Sequence, residues 1–522
     1  MRSTKAVDCK SIRLSHVVSL ALSSAFGILL LFPVVQGHAQ DESFIHSTIL
    51  QGIDQLYNME FEEAAGSFDK VIRTAPRDPR GYFFKSAIDY WIYFISGEES
   101  AYKRFFALSD SVIDLCEQLL EADERNWSAK FYLGGIYGFR GLMYQRNGSI
   151  LKALWDGKKG YSRLRECAQL KPDLVDAQMG FGLYTYLVGK IPKSLRWIVN
   201  IIGFSGDVDL GIKYIRNAAE NGVYTRSEAT YYLSQFLYQE GNQDEALRLM
   251  ERLQSKHPDN SLFLLTYGSW QSRKENIDTA LAAAKRAVEI NNRQKVRYGD
   301  EIAYSVLAQC YWVKNDFKSA KENIELSLQR MESSENIANY TYYRLGLCYE
   351  ILGDRIGAVA TYRRMSEVRD KDRANDTYYY RKGLERISTS LSDADLNLIE
   401  ASNESSMKRY SRAKELYERV LQLGNVDQRS TALYGMQRMY FNQGLYDSSL
   451  AVHSSLVKLR PPAETWIIPH SYYLAGQALE KQGRKNEAVR SFEIVNEFDD
   501  YDFQQSLEDR TDQELERLRE AS

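Results

Sequence analysis

Two serines stand where a nucleophile would have to stand if this chain were a hydrolase. Ser205 lies in Gly203-Phe-Ser-Gly-Asp207, which superficially matches the sharp turn that exposes a nucleophilic serine. That motif needs Gly two residues after the serine, and Asp207 stands there instead. Ser67-Phe-Asp-Lys70 has the spacing that sets an amine one helical turn from a hydroxyl, but the partner motifs of that enzyme class are missing. Paired carboxylates suited to acid–base work occur at Glu62 and Glu63 and at Glu98 and Glu99. Both pairs fall at expected helix starts or loops, where acidic groups complement the helix dipole. Beyond residue 39 the cysteines Cys116, Cys167, Cys310 and Cys348 include no CxxC pair. They read as small buried hydrophobes. The histidines His46, His257, His453 and His470 are equally scattered. No cofactor and no metal site is implied, and the chain reads as non-enzymatic. The triplets at Asn126, Asn147, Asn339, Asn375 and Asn403 fit the glycosylation pattern as chance matches.

What must position any functional group is a long array of helices. At 522 residues the chain exceeds what one core supports, so it is multidomain or repetitive. Its 44% hydrophobic and 26% charged residues, with only 9 prolines, suit a folded, mostly helical chain. A small residue precedes an Ala by twelve positions at Gly52/Ala64, Ser234/Ala246, Gly268/Ala280, Ala308/Ala320, Gly346/Ala358, Ala401/Ala413 and Gly476/Ala488. Each pair predicts two antiparallel helices that cross closely at small residues. A larger residue follows four positions later, as at Phe68, Tyr362 and Phe492, one turn on along the same face.

This spacing resembles the tetratricopeptide repeat (TPR), with Leu345, Gly346, Tyr349, Ala358 and Tyr362 close to its full signature. Pro76, Pro172, Pro258 and Pro461 fall where that family ends its second helix. The resemblance implies an all-α, right-handed superhelical solenoid of TPR helix hairpins, with expanded repeats at 80–226. There Gly134 to Pro172 spans 38 positions where the family has 24. Within that stretch, Gly180 to Gly189, then Lys190-Ile-Pro192, then the Gly203 to Asp207 turn and Gly211 resemble the family of inclusion-body clearance protein and tetratricopeptide repeat protein 39. This second resemblance covers residues 180–218. The expected organisation is a signal peptide at 1–39, an N-terminal unit at 40–226, a regular stack at 227–375, a joint at 376–393, a second stack at 394–502 and a capping helix at 503–522.

The family resemblance also implies which residues line the groove, because the first helix of each repeat faces it. These are Tyr231, Gln235, Tyr238 and Gln239 in one repeat, Arg273 in the next, then Gln309 and Trp312, then Tyr340 and Tyr343. In the second stack they are Tyr434, Arg438, Phe441, Tyr473 and Gln477. Rings beside amides suit an extended peptide, and a glycan as a second class. Tyrosines at the expected lysine positions argue against the carboxylate clamp of chaperone-binding TPR domains.

Arg2, Lys5, Lys10 and Arg13 precede the apolar stretch Val17 to Val35, and Gly37-His38-Ala39 offers a cleavage site before Gln40. The chain is therefore expected to be exported to the periplasm or cell surface of a bacterium. Removing residues 1–39 leaves 63 basic and 69 acidic residues out of 67 and 70, a formal charge of −6. Such a balance lacks the attraction that drives nucleic-acid binding, so no nucleic acid is expected. The leading reading is a non-catalytic exported scaffold or adaptor for protein or polymer partners in the cell envelope. An alternative from another class is peripheral membrane contact or lipid handling through the apolar segment 190–204, with Trp197, Ile198, Ile201 and Ile202 beside Lys190, Lys193 and Arg196. At 15 residues, about 22 Å of helix, it is too short to span a bilayer. The remote third reading is a hydrolase with its site in the expanded repeats.

Overall fold

The computed structural model describes residues 41–191, 203, 206–294, 298–331, 338–367 and 374–520. The segment read as a signal peptide and the residues Trp197, Ile198, Ile201 and Ile202 lie outside the described residues. All regular structure among the described residues is helical, and none of these helices is long and apolar enough to cross a membrane. Two compact units divide the chain, one ending at Phe263 and the other beginning at Leu264.

The first unit holds α1 (residues 41–57), α2 (Phe61–Thr74), α3 (Pro79–Ser96), α4 (Glu99–Ala122), α5 (Trp127–Arg146), α6 (Ile150–Leu170), α7 (Ala177–Gly189), α8 (Val208–Asn221), α9 (Arg226–Gln239) and α10 (Gln243–Lys256). The boundary between units falls inside α11 (Ser261–Arg273). The second unit continues through α12 (Ile277–Asn291), α13 (Asp300–Val313), α14 (Phe317–Arg330), α15 (Asn339–Ile351) and α16 (Arg355–Tyr362). Residues 374–388, within and just before the expected joint, form α17 (Ala374–Ser388). Then come α18 (Asp393–Ser406), α19 (Tyr410–Leu423), α20 (Val426–Asn442), α21 (Tyr446–Leu456), α22 (Ile467–Lys481), α23 (Lys485–Val495) and α24 (Gln504–Glu520). The pairs α9/α10, α13/α14, α18/α19 and α22/α23 pack as hairpins, as the twelve-residue spacing predicts.

The packing rule behind that spacing is visible atom by atom. Ala64, Ala246, Ala280, Ala320, Ala358, Ala413 and Ala488 are all fully buried. The aromatic residue four positions later covers the small residue of the first helix, so that a side chain added at Gly52, Gly346 or Gly476 would overlap the ring of Phe68, Tyr362 or Phe492. The small residue thus makes room for the ring as well as for the opposing Ala. Hairpin turns reverse through the left-handed region. Gly353 takes it at φ 87°, while Glu275, Asn315 and Lys408 reach it without the help of glycine.

The expanded stretch differs by helix length. Whereas α9 and α10 are 14 residues each, α5 has 20 and α6 has 21, and α4 reaches 24. Lengthening α5 and α6 does not push them apart, because glycines line their seam. A Cβ on Gly160 would stand 2.8 Å from the Gly134 carbonyl oxygen, and one on Gly141 would stand 3.1 Å from that of Ala153. Two long backbones in such contact form a rigid wall on which the rest of the unit is built.

The four described cysteines are free and buried, and burial pushes the Cys116, Cys310 and Cys348 thiols up to about 12 and Cys167 to about 11. They are inert apolar packing groups. Ser67 is also buried and donates to Gln55 Oε1 at 2.7 Å, pinning α2 to α1. Its neighbour in the S-x-x-K spacing, Lys70, is exposed. Among the described residues no group of His, Cys, Asp or Glu could hold a metal ion.

Candidate functional site

In the second unit the helices α13 and α15 bring groove residues of two repeats onto one arginine. Arg344 lies one turn beyond Tyr340 on α15, so the two share a face. Its guanidinium sits 4.4 Å from the ring centre of Trp312 and 5.0 Å from that of Tyr340, and it donates to Gln309 Oε1. Its place over both rings restricts the guanidinium, each contact contributing roughly 0.5–2 kcal/mol. Tyr379 of α17 extends the surface, with its ring 4.8 Å from Tyr340 and 5.4 Å from Tyr343. The Tyr343 hydroxyl is held above its ordinary range by burial, against the opposing pull of Arg386 and Lys382. Gln309, Tyr340, Tyr343 and Arg344 are half-buried, so the cluster is partly open to solvent. Trp312, 7% exposed, belongs to the core between α12, α13, α14 and α15 as well as to this cluster.

Farther along the second unit the residues separate into smaller groups. Tyr434 meets Trp466 edge-on at 5.4 Å, and Phe441 meets Tyr446 at 5.6 Å. Tyr473 packs on Phe492 at 5.5 Å, accepts from Gln477 Nε2 at 3.4 Å and carries Arg510 over its ring at 5.2 Å. Burial raises the Tyr434 and Tyr473 hydroxyls above their ordinary range. Arg273 and Arg438 are exposed.

In the first unit Tyr231 is 6% exposed and packs within an aromatic group, 5.7 Å from Trp91 and 5.6 Å from Phe263. Gln235 and Tyr238 are half-buried. Gln239 accepts from the Tyr186 hydroxyl at 3.1 Å, a bond that ties α9 to α7. The first-helix positions therefore divide into rings that hold neighbouring helices together and rings that remain at the surface.

Arg344 is the functional candidate that the groove positions alone did not single out. The signal was present in its place one turn after Tyr340, on a helix that reads Asn-Tyr-Thr-Tyr-Tyr-Arg. Seeing its importance required the fold, since Trp312 and Gln309 reach it from another helix.

Comparison with known proteins places these hairpins in a family. The model of the Iml2/Tetratricopeptide repeat protein 39 family matches residues 175–381, and a tetratricopeptide repeat model matches residues 469–497. The first match contains the 180–218 segment and runs on through α9 to α17. Among solved structures the chain is similar to Pseudomonas aeruginosa pilF, with 13% identity and a TM-score of 0.35 over 49% of this chain and 99% of that one. It is similar to human IFIT1, solved as a dimer with m7Gppp-AAAA, with 14% identity and a TM-score of 0.33 over 88% and 94% of the two chains. Yeast Tom70 matches with 11% identity and a TM-score of 0.31 over 85% and 90%. With its helix hairpins, its buried repeat alanines and both family models in agreement, the chain is a tetratricopeptide-repeat protein that carries an Iml2/Tetratricopeptide repeat protein 39-like segment.

Proposed function

We propose that this protein is a non-catalytic adaptor which holds an extended segment of a protein partner against the Arg344 cluster of its second unit. The observation that carries the reading is the convergence of Gln309, Trp312 and Tyr340 on one guanidinium, which lies over both rings. A planar cation placed in this way can meet a carboxylate of the partner side-on, while the neighbouring amide and the tyrosine hydroxyls suit peptide backbone groups.

Replacing Gln309 and Arg344 together by Ala is expected to weaken capture of partners at least tenfold while helicity is kept and the melting temperature falls only by the few degrees that the lost ring contacts explain. Arg344→Lys should also lose binding, because an ammonium does not stack as a plane. Retention of the same partners by all three proteins would remove the cluster as the binding site. Trp312 is a poorer test, since its truncation would open the core it helps to fill.

We place the adaptor outside the cytoplasm, on the strength of the basic residues before Val17 to Val35 and the small residues ahead of Gln40. Protein recovered from the exporting cell is then expected to begin at or near Gln40. A native protein that begins at Met1 would replace this with an anchored form.

A further inference from the structure

Beyond the adaptor surface, the first unit encloses a cavity of about 480 Å³, within the range of roughly 300–1,000 Å³ used by small-molecule sites. It runs along the face of α5 marked by Phe131, Gly135, Gly138, Leu142 and Gln145. Those positions extend over about 21 Å of helix at 1.5 Å per residue. The glycine seam between α5 and α6 makes part of the wall, since Gly134, Gly141, Gly157 and Gly160 line the cavity.

Gln145 and Ile150 are exposed, Ile150 at 51%, so the cavity opens beside the turn from α5 to α6. Leu151 and Trp155, next along α6, are also exposed, at 71% and 58%. Within the lining, Tyr57 and Glu228 are buried, at 5% and 7% exposed. Glu228 stands on α9 in the run Ser-Glu-Ala-Thr-Tyr-Tyr, and the hydroxyls of Tyr57, Tyr90 and Tyr232 are the titratable groups that face it. Its Oε1 has no hydrogen-bond partner. Burial pushes its carboxyl up to about 8, opposed only in part by the Tyr57 hydroxyl, so the group carries a proton at neutral pH. The other acid of the lining is already committed: Asp176 accepts from the backbone N–H of Val223, Tyr224 and Thr225. A buried polar atom without a partner is costly, and a ligand that brings one removes that cost.

We propose that this cavity binds an aliphatic molecule whose uncharged oxygen function, a hydroxyl or carbonyl, reaches Glu228 while its hydrocarbon occupies the apolar space beside the α5–α6 seam. The unionised carboxyl selects an uncharged end. The exposed Ile150, Leu151 and Trp155 at the opening provide an apolar approach for such a molecule. Gly138 is the place to fill that space, because it lines the cavity and a Cβ added there meets no atom within 4 Å.

The test uses the full mature chain and the neutral apolar fluorophore N-phenylnaphthylamine, displaced by dodecanol, dodecane, dodecylammonium or dodecanoate. Dodecanol is expected to displace it about tenfold more effectively than dodecane, the scale of one buried hydrogen bond. Glu228→Leu should erase that difference, Glu228→Gln should keep it, and Gly138→Leu should weaken dodecanol and dodecane alike by at least tenfold. Stronger displacement by dodecylammonium than by dodecanol at neutral pH would overturn the uncharged end. Undiminished binding to a folded Gly138→Leu would overturn the cavity itself. Were Glu228→Leu not to fold, equal potency of dodecanol and dodecane on the unaltered protein would still defeat the proposal.

Discussion

Between about pH 5 and pH 9 the unaltered protein is expected to lose on the order of 4 kcal/mol of stability that Glu228→Gln does not lose. The sign follows from proton uptake. An unfolded chain releases the Glu228 proton near the ordinary value of 4.5, whereas the folded chain keeps it up to about 8 because the charged form is poorly solvated in its buried place. Across that window the folded state binds one proton more than the unfolded state, so stability falls as pH rises. The contribution is fully present below about 4.5 and gone above about 8. Glutamine has nothing to release, and its curve lacks this slope. Denaturant titrations of both proteins at several pH values measure the difference directly. Parallel curves would mean that Glu228 ionises normally, and the argument for an uncharged ligand end would fail with it. His257 does not confuse the comparison: burial lowers it to about 4, and it is present in both proteins.

Asp176→Ala is expected to cost about 4 kcal/mol or more, a loss as large as that of a major core residue. Asp176 is 3% exposed and stands just ahead of α7. Its Oδ1 accepts from the backbone N–H groups of Val223, Tyr224 and Thr225 at 3.0, 2.8 and 2.8 Å and from Thr225 Oγ1 at 2.8 Å. One carboxylate therefore organises the whole turn from α8 into α9. Alanine leaves those donors without their acceptor at a turn where Tyr224 and Thr225 are half-buried and Val223 is exposed, and each group that water does not reach costs about 1–3 kcal/mol. Asp176→Asn keeps an oxygen acceptor and should lose roughly half as much. The turn also presents Tyr224, which lines the apolar cavity and donates to or accepts from His46 Nδ1 at 2.6 Å. Thermal unfolding of the two variants decides the matter, and a melting temperature within a degree or two of the unaltered protein for Asp176→Ala would refute the assignment.

The amino-acid sequence by itself determined the hairpins. Gly346, Ala358 and Tyr362 disclose two antiparallel helices because the requirement they meet is local: a close crossing needs small residues, and the ring one turn beyond needs a hollow to fill. The same reasoning located the expanded stretch, since the distance from Gly134 to Pro172 does not fit the regular repeat. It left open longer helices or inserted ones, and the structure shows longer ones, with glycines on both sides of their seam. Only the tertiary structure decided which aromatic rings are surface and which are mortar. Tyr231 and Tyr343 hold the same place in their repeats, three residues before Ser234 and Gly346, yet Tyr231 is buried against Trp91 and Phe263 whereas Tyr343 is half-buried beside Tyr379. A tyrosine is apolar along its ring and polar at its tip, so helical periodicity cannot tell a neighbouring helix from a ligand. The cavity was out of reach for a related reason. Its wall combines Tyr57, Gly138, Leu183 and Glu228 from four helices far apart in the chain, and Glu228 looks like any other helical glutamate until three-dimensional packing takes its water away.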